Sequence, residues 1–450
     1  MPRLALAALC CTFACASTSV ATAPPAVQPV DHGLSSVRLE RLDAAVERLI
    51  DEGSLAGAVV LLQRRGVTAH FEAYGSLDVS AGRPMRRDAL FRICSMSKAV
   101  TSVAALLLYE DGLFLLDDPV SRFLPEFAEP RVLVAAPAEG TAPAFEPARR
   151  PITIRDLLTH TSGITYGFLG EPVISELYVA AGVADGLSET ELDLAENVRR
   201  IAAQPLLHQP GERFSYGLNT DVLGRLLEVA SGEELGALLE RRVFQPLGMV
   251  DTGFFVEDAD LERLCTVYRT DRGALEALPD GPQVEGLLTF SPSYPYRGAR
   301  RYASGGAGLV TTAEDYARFC QMLADGGEDV LGGEALAMGF HGAQSRALRD
   351  NAVRLLSRKT VELMAADHLA SIEGAEPFAF GLGLGLAPDP GRSGASTSGG
   401  TWSWDGFYTT RFWIDPAEDF VGVIMTQTYP YNSGRVLDRV MAAAYQAIDD

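Results

Sequence analysis

The folded part of this 450-residue chain opens with a helix and a hairpin and closes with a hairpin and a helix. Val37, Leu42, Val46, Leu49 and Ile50 form one apolar stripe, so a helix is expected over residues 37–52, with Ser36 as N-cap and Gly53 closing it. Residues 58–63 and 67–74, split by Arg64-Arg65-Gly66, read as a β-hairpin. Near the other end, strands over 407–414 and 420–426 flank a turn at 415–419. An amphipathic helix with Val436, Leu437, Val440 and Met441 on one face follows them. A lone hairpin is marginal in water, so both ends are expected to build a single sheet. The fold class is therefore α/β: an antiparallel sheet flanked by helices, from residues 34–112 and 301–450, with a mainly helical region inserted over 113–300. The insertion carries a Pro/Ala-rich excursion, with a capping box at Ser231-Gly232-Glu233-Glu234 expected to start one of its helices. Residues 381–386 fail the dinucleotide pattern at its last position and read as a Gly-rich strand.

Charge narrows the partners. Thirty-eight basic against 59 acidic residues give a formal charge of −21, which argues against nucleic acid and anionic membranes. Arg3 followed by an apolar run over residues 4–16 reads as an export signal, too short to span a bilayer. Ala14-Cys15-Ala16 is an A-x-A cleavage site that leaves Ser17 first, with residues 17–33 as a flexible tether. Cys15 is also a candidate lipid-anchored cysteine. The expected location is the periplasm or beyond, with no membrane span once the signal is removed. Of six cysteines only Cys94, Cys265 and Cys320 lie outside the leader, and no C-x-x-C or H-E-x-x-H occurs. No disulfide framework, metal or cofactor is expected.

The chemistry concentrates at one pair. Only two of the basic residues are lysines, Lys98 and Lys359. Lys98 closes Ser95-Met96-Ser97-Lys98, an S-x-x-K that opens a long apolar segment running to Gly112. At i, i+3 on a helix the hydroxyl and the amine share a face, and burial lowers an amine's proton affinity. The helix start also favours a developing oxyanion. No G-x-S-x-G or P-loop competes with it.

Phe91-Arg92-Ile93-Cys94-Ser95-Met96-Ser97-Lys98 resembles the nucleophile motif of the serine β-lactamase superfamily: class C β-lactamases, penicillin-binding DD-peptidases and family VIII carboxylesterases. The stretch from Ile152 to Gly163, Pro246-Leu247-Gly248-Met249 and Ser304-Gly305-Gly306-Ala307-Gly308-Leu309 are similar to further family segments, in order. The resemblance implies a β-lactamase/transpeptidase-like fold with Ser95 as nucleophile. It implies Tyr216, in Tyr216-Gly217-Leu218, as a phenol hydrogen-bonded to Lys98 that shuttles the Ser95 proton. It also implies a third motif at Trp404-Asp405-Gly406, similar to the W-x-G of the esterases, with the N–H groups of Ser95 and Phe407 forming an oxyanion hole. Trp404, Asp405, Gly406 and Leu218 are then candidate substrate contacts. Two departures stand out: Leu218 replaces an amide-gripping Asn, with Asn219 one residue late, and Asp405 stands where the family more often has Gly. His160 is expected to be structural, and strand parity is expected to turn Arg411 away from the site.

These residues favour a serine hydrolase that cleaves small carboxylic esters through an acyl-enzyme. The alternatives are a β-lactamase or D-Ala-D-Ala carboxypeptidase on peptidoglycan-like amides, an acyltransferase, and, least favoured, a non-catalytic binding or sensor module. Two inserts, near 130–150 and 327–346, are candidates for the pocket rim or the surface.

Overall fold

The structure is a computed structural model that describes residues 33–135, 142–329, 353–372 and 379–450. The expected export signal, Cys15, nearly all of the tether and most of the second insert lie outside the described residues. The two chain ends do form one sheet of eight antiparallel strands. In chain order these are β1 (Gly57–Arg64), β2 (Val67–Asp78), β3 (Arg83–Pro84), β4 (Ala379–Phe380), β5 (Gly385–Leu386), β6 (Trp402–Gly406), β7 (Thr410–Asp415) and β8 (Phe420–Met425). Their spatial order is β4-β5-β6-β7-β8-β1-β2-β3, so the seam between the chain ends is the pairing of β8 with β1, in register from Val59↔Met425 to Arg64↔Phe420.

Period-two alternation then sorts the strand residues into two cores. Every residue of β1 is buried. Ala58, Val60 and Leu62 point to one side, where they meet helices α1 (Ser36–Asp51) and α5 (Val436–Tyr445). Val59 and Leu61 point to the other, joined by helix α2 (Ser97–Glu110) and helix α4 (Ala313–Ala324). Both faces are therefore covered, which explains why β1 and β8 read as continuous apolar runs rather than alternating ones. Between α1, α5 and the sheet sits Trp413, fully buried. A Cβ at Gly422, its cross-strand partner, would come within 2.0 Å of the indole, so only glycine leaves room for it.

Several local expectations change. Val37 is exposed, and Leu39 takes its place on the α1 stripe. The box at Ser231 ends a helix instead of starting one: α3 (Asn219–Ser231) stops at Gly232, which adopts φ +75°. Ser231 Oγ donates to Leu227 O and accepts from the Glu233 N–H, satisfying the helix end. Residues 381–384 form the turn between β4 and β5 and not a strand, with Gly383 at φ +92°. The inserted region is less purely helical than expected. It also holds hairpins of Arg131–Ala135 with Ala144–Pro147 and of Gln283–Glu285 with Leu288–Phe290. A third, Tyr268–Asp271 with Ala274–Ala277, adds Thr428–Tyr429 in parallel. These strands are short and charged, so periodicity over so few residues carries no signal. The first insert's hairpin packs by Val132 against Leu206.

Among the described residues no helix is long and apolar enough to cross a membrane. Trp413→Ala should cost about 3–5 kcal/mol of stability, because it empties the space between sheet and terminal helix. Urea unfolding followed by far-UV circular dichroism reads that loss.

Candidate active site

The chain reaches Ser95 through a tight turn. Cys94 adopts φ +43°, a left-handed conformation that costs a non-glycine residue about 1–2 kcal/mol, and its side chain is buried. Burial pushes the thiol up to about 12, while the charge of Arg92 pulls the other way. Residues 94–96 form a single 3-10 turn before α2 begins at Ser97. The strained turn places Ser95 partly exposed at the mouth of a helix whose next residues, from Met96 to Leu108, are all buried.

Lys98 is fully buried, one turn into this segment. Its amine lies 3.3 Å from Ser95 Oγ, 2.8 Å from the carbonyl of Gly306 and 3.1 Å from the hydroxyl of Tyr166. Here the structure corrects an expectation. The phenol that bonds to Lys98 is Tyr166, whereas Tyr216 turns its ring face to the amine at 4.6 Å from the centroid. Tyr216 instead accepts a hydrogen bond from Trp404 Nε1 at 3.1 Å. An amine facing an aromatic face, a carbonyl and a phenol oxygen is held by acceptors on three sides. Tyr166 was missed because a single tyrosine in a loop 68 residues from its partner has no spacing to betray it. The one available cue was its place three residues after Gly163, at the end of the family-like stretch.

The loop that carries Tyr166 is tied down from beneath. Asn219, buried at the start of α3, donates Nδ2 to His160 Nδ1 at 2.9 Å and to Ile164 O at 3.1 Å, and accepts from Ser162 Oγ. His160 adopts φ +56° and is buried among Phe214, Tyr216 and Phe380. Burial first, and then the charge of Lys98, hold its pKa well below the usual imidazole value. A neutral ring whose Nδ1 accepts from Asn219 is a brace for the loop.

Asp221, fully buried on the same helix, accepts from Tyr302 at 3.0 Å. A Cβ on Gly306 would fall 2.7 Å from its Oδ2 and 3.5 Å from Lys98 Nζ, so the Gly306 peptide is wedged between carboxylate and amine. Burial raises the Asp221 pKa to about 6, partly offset by a Ser304 hydrogen bond and by Lys98.

Leu218 is fully buried in the main core and is not among the residues that line the cavity over Ser95. Standing where a polar amide was needed, an apolar side chain turns inward, so it is no substrate contact. Gly406 does reach the site: a Cβ there would strike Ile93 O at 2.4 Å, so glycine lets β6 close onto the nucleophile turn. Trp404 and Phe407 also line the cavity, which measures about 640 Å³ and has Ser95 in its wall. Phe168, Leu169, Leu187 and Leu386 make much of the remaining wall apolar. Arg411 keeps the expected parity, opposite Asp405 in register and reaching Asp438 on α5. Arg411 is nevertheless among the residues that line the cavity, with its guanidinium paired to Asp405. Asp405 therefore enters the site as a counter-ion.

A serine–lysine pair at a helix mouth, two loop tyrosines against the amine and a tryptophan on the facing strand lie together on this fold. The beta-lactamase family model matches residues 42–446. The chain belongs to the beta-lactamase family. It is 34% identical over 416 residues to esterase EstB of Burkholderia gladioli, covering 90% of this chain and 94% of that one. The solved structure of EstCE1, described as a hydrolase with promiscuous acyltransferase activity, is 31% identical and superposes with a TM-score of 0.74 over 91% of this chain and 98% of that one. Unliganded simvastatin synthase (LovD) of Aspergillus terreus, at 22% identity and a TM-score of 0.69 over 91% of this chain and 98% of that one, shares the fold. Within the family this chain is a serine hydrolase of the esterase-related kind.

Two outcomes test the site. Tyr166→Phe removes one hydrogen bond to the amine, an interaction of about 1.5–3 kcal/mol, so kcat on a chromogenic ester should fall roughly 10–100-fold with little change in KM. Asp221 binds its proton more tightly folded than unfolded, so its contribution weakens stability as pH rises from about 4 to about 6. Asp221→Asn should lack that slope. Urea melts of both proteins at pH 4, 5, 6 and 7 should show the wild type losing up to about 3 kcal/mol relative to the variant.

Proposed function

We propose that this chain is an exported hydrolase that cleaves small carboxylic esters through an acyl-enzyme on Ser95. One observation carries the reading: the Ser95 hydroxyl lies 3.3 Å from a fully buried amine, at the wall of a largely apolar cavity. Ser95 Oγ attacks the ester carbonyl as its proton passes to the Lys98–Tyr216 pair. The same pair returns that proton to the departing alkoxide. The tryptophan N–H donated to the Tyr216 oxygen and the lysine at its ring fix the position of the phenol. Tyr166 holds the amine in place from the far side. The N–H groups of Ser95 and Phe407 receive the carbonyl oxygen in the tetrahedral intermediate, a contribution of about 2.7–4 kcal/mol per donor. Water then attacks the acyl carbon and frees Ser95.

Two features weigh against β-lactams or D-Ala-D-Ala peptides as the preferred substrates. Leu218 offers no amide to grip the substrate, and Trp404 supplies no cation for its carboxylate. Acyl transfer to an alcohol is a second reading, favoured by the apolar cavity wall and by the activity described for EstCE1. A panel of short p-nitrophenyl esters, nitrocefin and a D-Ala-D-Ala peptide, with and without added alcohol, separates these readings. Ester turnover should dominate. Rapid nitrocefin turnover with negligible ester hydrolysis would reverse the preference. Ser95→Ala should lower ester turnover by a factor on the order of 10⁴ or more; undiminished activity would sink the mechanism. Export predicts a mature protein whose intact mass begins at Ser17, or at a lipid-modified Cys15.

A further inference from the structure

Among the described residues lining the cavity there is one cation, Arg411, and its charge is already taken. Its Nε and Nη2 donate to the two oxygens of Asp405 at 2.6 and 2.7 Å, the planar fork-to-fork match of guanidinium and carboxylate. Nη1 donates to Asp438 Oδ1 at 3.1 Å, and the Tyr431 hydroxyl bonds to Asp405 as well. Arg435, largely exposed, takes the other oxygen of Asp438 at 3.1 Å. Two guanidiniums and two carboxylates therefore cancel at this end of the cavity. The central pair is mostly sheltered, with side chains 14% and 20% exposed. Burial opposes the arginine charge, yet the charge and hydrogen bonds of Asp405 outweigh it and hold the pKa above the usual value.

We propose that Asp405 determines specificity: by occupying the Nε–Nη2 edge of Arg411 it removes the one cation with which this cavity could bind a substrate carboxylate, and so favours esters that carry no anionic group. The inference rests on the ester-hydrolase reading of the same site. A substrate carboxylate has the same two-oxygen geometry as Asp405, so it competes for the same edge and loses to a tethered, prepaired rival. Neutralising Asp405 leaves the guanidinium anchored by Asp438 with no carboxylate on its Nε–Nη2 edge, a mostly buried charge that recruits an anion.

The test compares p-nitrophenyl valerate with mono-p-nitrophenyl glutarate, acyl chains of similar size that differ by a terminal carboxylate. The readout is the ratio of kcat/KM for the anionic ester to that for the neutral one, which cancels any general effect of a variant on the catalytic groups. In the wild type the neutral ester should be strongly preferred. Asp405→Asn should raise the ratio about 10-fold or more, chiefly through KM for the glutarate, and 0.5 M salt should erode the gain. Adding Arg411→Gln should return the ratio to its wild-type value. An unchanged ratio in folded Asp405→Asn, or a gain that survives in the double variant, would overturn the proposal. Asp405→Ser supplies the same comparison if the asparagine variant does not fold. A wild type that hydrolyses neither ester would instead defeat the ester-hydrolase reading, and this proposal with it.

Discussion

A single buried amine organises this molecule. Lys98 has no solvent contact, so every interaction that holds its position has to come from the protein, and the fold supplies them from widely separated parts of the chain. Gly306 contributes a carbonyl from the segment before α4, Tyr166 a hydroxyl from the braced loop, and Tyr216 a ring face from the entrance to α3. Each provider is fixed in turn: Asn219 ties the loop, and the absence of a Cβ lets Gly306 fit between amine and Asp221. The catalytic arrangement is thus inseparable from the packing of the inserted region against α2.

The sheet answers a different need. Its central seam joins the first and last parts of the folded chain, and both of its faces are packed. Strand β6 can then project beyond its short neighbour β5, which pairs only with residues 402 and 403. The stretch from Trp404 to Gly406, beyond the end of β5 and still paired with β7, forms part of the cavity wall.

What the sequence disclosed follows from how local each signal was. Ser95 and Lys98 are three residues apart across one helix start, the terminal helices carry periodic apolar stripes and the hairpins apolar runs split by turn residues, so these were legible from pattern alone. Tyr166 was not, since its partnership with Lys98 exists only after two elements pack. Leu218 was misjudged for the opposite reason. Motif position suggested a substrate contact, but hydrophobicity decided where the side chain went. At Ser231-Gly232 the capping residues were read correctly as a helix boundary and assigned to the wrong side of it. A glycine free to adopt φ +75° ends helices far better than it begins them. The small hairpins of the insertion are too short for period two to emerge.

The motif around Trp404 shows how one strand can set two properties by parity. Residues 404 and 405 point to opposite faces of β6. On one face, Trp404 packs at 5.5 Å from the Tyr216 ring and donates its N–H to the phenol. On the other, Asp405 meets Arg411 across the β6–β7 ladder, and that pair is tied to α5 through Asp438. The first contact holds the Tyr216 phenol, the second sets which charges line the cavity. Because the two share only a backbone, a charge change at 405 alters the electrostatics of the cavity without removing any group that touches Ser95 or Lys98. Substrate preference on this scaffold can therefore shift by single steps while the serine–lysine chemistry stays intact.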